Sequence, residues 1–102
     1  MNFLEHTVKG LRRCLVDQDL QGEPLHLHIS QIEPGSWSHP PHTHDGVEAF
    51  YVLEGQGTLE IDGARQLLRA GEATVFDPTK LHGLLNTGTT PMRYIVIIAR
   101  EE

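Results

Sequence analysis

The sequence predicts an all-β protein, either an antiparallel sandwich or a barrel, on three observations. Apolar residues recur with a period of two, glycines and prolines interrupt the chain every several residues, and helical periodicity is scarce. Because no helical segment separates the predicted strands, an antiparallel arrangement is favoured over a parallel sheet.

The predicted strands follow one another in short runs. The segment 25–30 alternates cleanly and ends at the turn Glu33-Pro34-Gly35. An Asp62-Gly63 pair between apolar segments predicts a two-residue hairpin, because both positions tolerate positive φ. Further strands are predicted over 48–53, 58–61, 65–68, 73–76, 82–85 and 92–99.

Strand 25–30 has two chemically different faces. Leu25, Leu27 and Ile29 share one face, and His26 and His28 lie on the other. Burial preference favours packing the leucines inward, which would leave both imidazoles on the surface. In the alternative, His26 and His28 line the interior as candidate acid–base groups.

Composition narrows the class of protein. A chain of 102 residues has room for one domain, so a single domain over 1–102 is predicted. The net charge of −6, without a basic cluster, argues against nucleic acid as a partner. Cys14 stands alone, which favours a reducing cytoplasm. No signal peptide and no apolar run long enough to cross a membrane are expected.

A pattern of histidines and one carboxylate predicts a metal site. The ligands would be His42, His44, Glu48 and His82, since neutral imidazole and carboxylate suit divalent Fe, Mn, Ni or Zn. Each residue taken alone also fits a solvated strand or turn. The coincidence of all four favours the metal, and no organic cofactor is predicted.

The spacing between His44 and Glu48 requires the chain to fold back. On a straight strand the two residues would lie roughly 13 Å apart, too far to share one ion. A three-residue loop over 45–47, or its bulged form, would place His44 opposite Glu48 on one face, and Gly46 would supply its special backbone conformation.

These residues resemble the two sequence motifs of the cupins, a family of small jelly-roll β-barrels. The first motif, about 35–55, is matched by His42, His44, Glu48 and Gly55, and the second, about 71–86, by Gly71, Pro78, His82 and Asn86. Three departures affect turns: Gly35 is one residue further from His42 than usual, Pro78 is displaced by one residue, and Lys80 stands where a second glycine is usual. The resemblance implies a jelly-roll barrel whose motifs supply the metal ligands.

Further residues are expected around the metal. Phe50 and Val52 follow Glu48 on its face, and Leu84 and Asn86 follow His82, so these four are predicted to line the pocket. Asn86 fits a strand-end hydrogen-bonding role better than catalysis. Tyr94 is a candidate proton donor if it points inward, although a packed tyrosine is the simpler interpretation.

Two further residues are predicted to lie in loops near the site. His39 is expected at the pocket mouth, because Pro40-Pro41 separates it from the ligand segment. Trp37 is interpreted as a lid or as a contact with a second subunit. The apolar strand Tyr94–Ile98 would be prone to pair with another chain if it formed an unpaired sheet edge. It therefore suggests a homodimer that covers this edge.

Two functions fit these residues. The favoured one is a metal-dependent enzyme acting on a small polar or anionic metabolite, because the chain shows no effector domain. By resemblance its chemistry would be that of a dioxygenase with iron, or of an isomerase or lyase with other metals. The alternative is a non-catalytic protein that binds or senses a small molecule or metal.

Overall fold

The structure is a computed structural model that describes residues 2–21 and 25–100. Within them the chain forms strands only, joined by turns and loops. In chain order the strands are β1 Phe3–His6, β2 Cys14–Asp17, β3 Leu25–Ile32, β4 Val47–Glu54, β5 Gln56–Ile61, β6 Ala64–Arg69, β7 Ala73–Phe76, β8 His82–Leu85 and β9 Met92–Ala99.

Strand pairing is antiparallel in every pair and produces three sheets in this part of the chain. A four-stranded sheet has the order β3-β9-β4-β7, a three-stranded sheet has the order β6-β5-β8, and β1 pairs with β2 alone. The non-sequential order confirms the predicted jelly-roll arrangement, although the hydrogen-bonded ladders do not close into a continuous barrel.

The core lies between the four-stranded and the three-stranded sheets. Phe50, Val52 and Tyr94 contribute from the first sheet, while Leu59 and Leu84 contribute from the second. Phe50 also packs its ring against the rings of Phe76 and Tyr94, with centroids 5.1 and 5.3 Å apart. Alternate residues of each strand therefore fill one shared interior, which places the start of β4 and of β8 at the same end of the molecule.

Turn chemistry agrees with the sequence at two places. Asp62 and Gly63 have φ of 47° and 84° and connect Ile61 to its partner Ala64, which confirms the predicted two-residue hairpin. The turn at 33–35 is closed by the Ser36 amide, which donates to the Glu33 carbonyl at 3.1 Å.

Two expectations about strands are wrong. The prediction omitted β1 and β2, whose four residues each are too short to show a clear period. The expectation that Tyr94–Ile98 forms a sheet edge also fails, because β9 lies between β3 and β4 and is paired on both sides. The edge strands of that sheet are β3 and β7. Nor do the described residues include a helix suited to crossing a membrane.

Candidate metal centre

The three imidazoles of the predicted site come together at one end of the sandwich. His42 and His82 pair through their backbones, each donating its amide to the carbonyl of the other at 2.9 and 3.0 Å. The His44 amide donates to the Pro78 carbonyl at 2.9 Å. The segment 42–44 is therefore held against the chain entering β8, which brings the ligand atoms of the three histidines within 4.8 Å of one another.

Glu48 reaches the same cluster from the start of β4. Its Oε1 lies 2.8 Å from His44 Nε2 and 3.3 Å from His82 Nε2. The carboxylate is 4 % exposed and His82 is 2 % exposed. Four predicted ligands thus surround one small volume, in which a buried negative charge faces imidazole nitrogens.

The expected three-residue hairpin between His44 and Glu48 is wrong. The residues of β4 pair with β7 and β9, and Glu48 lies opposite Phe76 and Ile98. His44 reaches Glu48 because the chain bends sharply at Gly46, where φ is 94° and a Cβ would lie 2.5 Å from the Ala99 carbonyl oxygen. Glycine is required there for a positive φ and a close approach, but the bend is not a ladder turn.

Hydrogen bonds determine which nitrogen of two histidines faces the carboxylate. Nδ1 of His44 and Nδ1 of His82 each lie 2.9 Å from a backbone carbonyl, that of Asp45 and that of Lys80. A carbonyl only accepts, so each Nδ1 carries a proton and Nε2 is the nitrogen that faces Glu48. His44 Nε2 lies at hydrogen-bond distance from Glu48 Oε1, whereas His82 Nε2 does not form that bond. Lone pairs on nitrogen and carboxylate oxygen repel unless a proton or a cation lies between them.

His82 Nε2 is the most informative atom of the cluster. It is buried, and it has no hydrogen-bond partner among residues 2–21 and 25–100. Glu48 Oε1 is near it, but the geometry at 3.3 Å does not form a hydrogen bond. An unpartnered buried nitrogen costs about 1–3 kcal/mol, and coordination of a metal would supply the missing partner. The donor set therefore fits a divalent transition metal.

Other imidazoles surround this cluster. The His39 ring lies 4.3 Å from the His42 ring, centroid to centroid, and its side chain is exposed as a loop residue would be. Partial burial, and then the neighbouring His39, His82 and His44, lower the pKa of His42. A lower pKa favours neutral imidazole, which is the form that binds metals.

The residues predicted to line the pocket are all buried. Val52, Leu84 and Asn86 are fully buried, and Phe50 is 4 % exposed. Asn86 Nδ2 donates to the carbonyls of Ile32 and Thr90 at 2.8 and 2.9 Å, and its Oδ1 accepts from the Gly88 amide. Asn86 thus ties the end of β8 to the end of β3 and to the loop that precedes β9.

Tyr94 points into the interior, and Arg93 lies on the opposite face beside Glu54. Burial raises the pKa of the Tyr94 phenol, although hydrogen bonds with the side chains of Ser30 and Ser38 oppose the shift. The phenol stays protonated at neutral pH and is able to donate a hydrogen bond.

The preferred orientation of strand 25–30 is wrong. Leu25 is 58 % and Leu27 is 38 % exposed, whereas Ser30 and Ile32 are buried. The face of His26 and His28 therefore points to the interior side of the sheet, and the leucines point outward. Burial preference misled the prediction because the outer face of this sheet is itself apolar.

Trp37 packs closer to the site than its loop position indicated. A Cβ on Gly83 would lie 3.0 Å from the Trp37 ring, so the indole rests on the backbone next to His82. Trp37 also forms a bridge to Leu85. The bare Cα of Gly83 in a predicted strand was the signal that could have located this contact.

Comparisons with known proteins agree with this architecture. The family model of the cupin domain, Cupin_2, matches residues 28–98. An oxalate-binding protein from Thermotoga maritima is 32% identical over 69 residues, which cover 67% of this chain and 56% of that protein. The match thus spans little more than half the length of that relative.

Two solved structures share the fold. A predicted oxalate decarboxylase from Thermotoga maritima superimposes with a TM-score of 0.72 at 25% identity and covers 85% of this chain and 76% of the other. A protein from Acidithiobacillus ferrooxidans, provisionally assigned as a sugar phosphate isomerase, gives 0.68 at 33% identity, covering 78% and 52%. With the family model matching well over half of its residues, this chain belongs to the cupin family.

Proposed function

We propose that this protein binds one divalent transition metal through His42, His44, Glu48 and His82. The observation that carries the proposal is the buried His82 Nε2, which lacks a partner in the described chain while it faces the Glu48 carboxylate. A cation between these atoms would replace repulsion with coordination. Iron, manganese, nickel and zinc all suit this donor set.

The ligand set also sets the charge of the centre. Three neutral imidazoles and one carboxylate leave an M²⁺ ion with a net charge of about +1, so the centre attracts a small anion. When bound, the metal supplies Lewis acidity or, as iron, reactivity towards O₂. The relatives named for oxalate and for a sugar phosphate are consistent with an anionic ligand of this kind.

We infer that the protein is an enzyme acting on such an anion, with dioxygenase, isomerase or lyase chemistry according to the metal. Tyr94 is the candidate proton donor of this inference, because its buried phenol stays protonated at neutral pH and points into the interior. Val52, Phe50 and Leu84 would keep bulk water away from that side of the site.

Elemental analysis of protein purified without chelators tests the metal. About one equivalent of iron, manganese, nickel or zinc per chain is expected, and calorimetric titration with oxalate should then show binding to the metal-loaded form alone. The His44→Ala variant should lose the metal, because it removes one imidazole of the cluster. Unchanged metal content in that variant would refute the ligand assignment.

A second candidate is a cupin that binds an anion without transforming it. The relative named as an oxalate-binding protein favours this candidate. Incubation of the metal-loaded protein with oxalate, with and without O₂, separates the two functions. Saturable binding without any product would support the binding protein, whereas turnover that disappears in His44→Ala would support the enzyme.

The outer face of the four-stranded sheet supports a homodimer. Three rows of paired residues on this face carry only apolar side chains: Leu25, Ala99 and Val47; Leu27, Ile97, Ala49 and Val75; and Ile29, Ile95, Tyr51 and Ala73. Strand spacings give this face on the order of 400 Å², about half of what one partner buries in a standard interface. An uncharged face is also where two chains of net charge −6 repel least.

Solution mass tests the dimer. Val75 is 71 % exposed in this face, so Val75→Glu should convert the dimer to a monomer. Leu81→Glu is the matched control, because Leu81 is 51 % exposed away from the face. Light scattering after gel filtration that gives a monomer for the wild type would exclude the interface.

A cytoplasmic location remains part of the proposal. The single Cys14 is partly buried and fits a reducing compartment. The negative net charge continues to argue against nucleic acid and anionic membranes as partners. Fractionation of the source cells would test this placement.

A further inference from the structure

The interior face of β3 lies at the same level as the candidate metal centre. His26 pairs with Ile98, and Ile98 pairs in turn with Glu48. Paired residues of neighbouring strands share a face, so His26 and Glu48 point to the same side with one strand between them. Their backbones lie about 10 Å apart, which is two strand spacings. The apolar Ile98 side chain forms the floor between them.

An N-terminal lysine is anchored to this strand. The Lys9 carbonyl accepts a hydrogen bond from the Ile29 amide at 2.9 Å, and Lys9 Nζ donates to Ser30 Oγ at 3.0 Å. Gly10 allows the approach, because a Cβ there would lie 2.4 Å from the Ile29 carbonyl oxygen and its φ is 80°. Backbone and side chain thus hold one ammonium group beside the interior face of β3.

Two imidazoles complete a group of nitrogen donors next to Lys9. His26 Nε2 and His28 Nδ1 lie 2.7 Å apart and hydrogen-bond each other. A cavity of about 740 Å³ lies between β3 and the N-terminal hairpin, and Lys9, His26 and His28 are among the residues that line it. That volume is adequate for a small metabolite.

The electrostatic surroundings of this group are positive. Burial lowers the pKa of His28, and the further contributions come from His26, Lys9 and His39, all of which act in the same direction. Among the described residues no carboxylate contributes at His28. Asp17 also lines the cavity, but it does not contribute at His28, whose charged neighbours are all cationic groups. Imidazoles beside an ammonium group offer N–H donors and a positive charge, which is an environment that suits an anion.

We propose that Lys9, His26 and His28 form a second anion-binding subsite, which holds the distal end of a ligand whose other end reaches the metal centre. The proposal rests on the metal-binding function proposed above and specifies its ligand. Such a ligand carries a chelating carboxylate at one end and a phosphate or second carboxylate at the other, separated by several bonds over Ile98. Oxalate is too short to reach both subsites.

Lys9 and His26 both precede the segment 28–98 that matches the family model. The subsite therefore depends on residues that the family match does not cover. It uses the N-terminal segment that the strand prediction had left without structure.

Titration calorimetry of the metal-loaded protein tests the subsite with three probes. Phosphoglycolate and succinate carry distal anions, and oxalate does not. The Lys9→Ala variant should lose about tenfold in affinity for at least one long probe, the size expected for one charge-assisted hydrogen bond, while oxalate affinity stays unchanged. Loss with phosphoglycolate alone identifies a phosphate, and loss with succinate alone identifies a carboxylate. Equal loss with both identifies a subsite selective for charge only.

Two further variants separate charge from folding. Lys9→Arg retains the charge and should restore most of the affinity, which a purely structural lysine would not require. Arg12→Ala removes the same charge from an exposed position on the same segment and should change nothing. Unchanged affinity for both long probes in Lys9→Ala would overturn the subsite alone. A wild-type protein that takes up no metal would overturn the proposed function and the subsite together.

Discussion

Two histidine clusters lie at one end of this molecule, and their hydrogen bonds give them opposite properties. In the cluster of His42, His44 and His82, two Nδ1 atoms donate to backbone carbonyls, so the Nε2 atoms face Glu48. In the β3 cluster, His26 and His28 bind each other and have Lys9 as their charged neighbour. The first is suited to a cation and the second to an anion.

The difference shows that histidine content alone does not identify a metal site. The decisive features are a carboxylate within reach and a backbone acceptor for the outer nitrogen of each ring. Both clusters lie on strands or loops with similar local sequence, since His26-Leu27-His28 has the same spacing as His42-Thr43-His44. The two clusters differ only in the residues that other parts of the chain place beside them.

The largest expected effect is loss of metal from one cluster and not from the other. His82→Ala should reduce bound metal from about one equivalent to a background level, because it removes the most deeply buried ligand. His26→Ala is the matched control and should retain the metal in full. Elemental analysis of both variants provides the measurement, and equal loss in both would erase the distinction between the clusters.

A smaller loss is expected when the carboxylate alone is neutralised. Glu48→Gln should weaken metal binding by about 100-fold or more, since it removes the negative charge but keeps the shape. Glu54→Gln, at the exposed end of the same strand, should leave the affinity unchanged. Competition with a chromophoric chelator measures both, and a Glu48→Gln variant with wild-type affinity would show that the imidazoles suffice.

The free energy of unfolding tests how the segment of Lys9 is held against β3. Gly10→Ala should lower the free energy of unfolding by about 1–3 kcal/mol, because its Cβ overlaps Ile29 in addition to the backbone strain at positive φ. Gly35→Ala has nearly the same φ, 78°, but nothing within 4 Å of its Cβ, so it measures the strain alone. Chemical denaturation should find the first variant less stable than the second while metal content stays normal. Equal stabilities would show that the close approach at Gly10 is not needed.

The smallest effect concerns pH and the β3 cluster. Because burial lowers the pKa of His28 below 6.5, the folded protein prefers the neutral ring. The unfolded chain then binds more protons, so this stability is complete above pH 6.5 and declines as the pH falls towards the folded-state pKa. Proton NMR of the ring should show a midpoint below 6.5, and His28→Gln should flatten the decline. A midpoint above 6.5 would contradict the burial of the ring.

Local sequence was sufficient to predict turns and strand boundaries wherever a residue type admits few backbone conformations. Asp62 and Gly63 take the two positive φ angles that the hairpin prediction required. The strands predicted at 73–76, 82–85 and 92–99 agree with β7, β8 and β9 to the residue. Proline, glycine and strict alternation leave little freedom, so these boundaries needed no tertiary information.

Contacts between residues that are distant in sequence could not be predicted from local patterns. The route by which His44 reaches Glu48 was predicted as a hairpin, whereas the structure holds the 42–44 segment on β8. The approach of Lys9 to Ser30 joins residues 21 positions apart and has no local signature. Such contacts depend on which strands become neighbours, and strand order follows from packing of the entire core.

The sequence by itself therefore determined the all-β class, most strand boundaries and the residue types of a candidate metal site, because these follow from local backbone and ligand chemistry. Tertiary structure decided which face of β3 points inward, since both of its faces meet apolar or half-buried surroundings. It also decided that the imidazoles of two similar His-x-His segments face different partners. A side chain's chemistry is a property of its residue, but its electrostatic environment is created only when distant strands pack together.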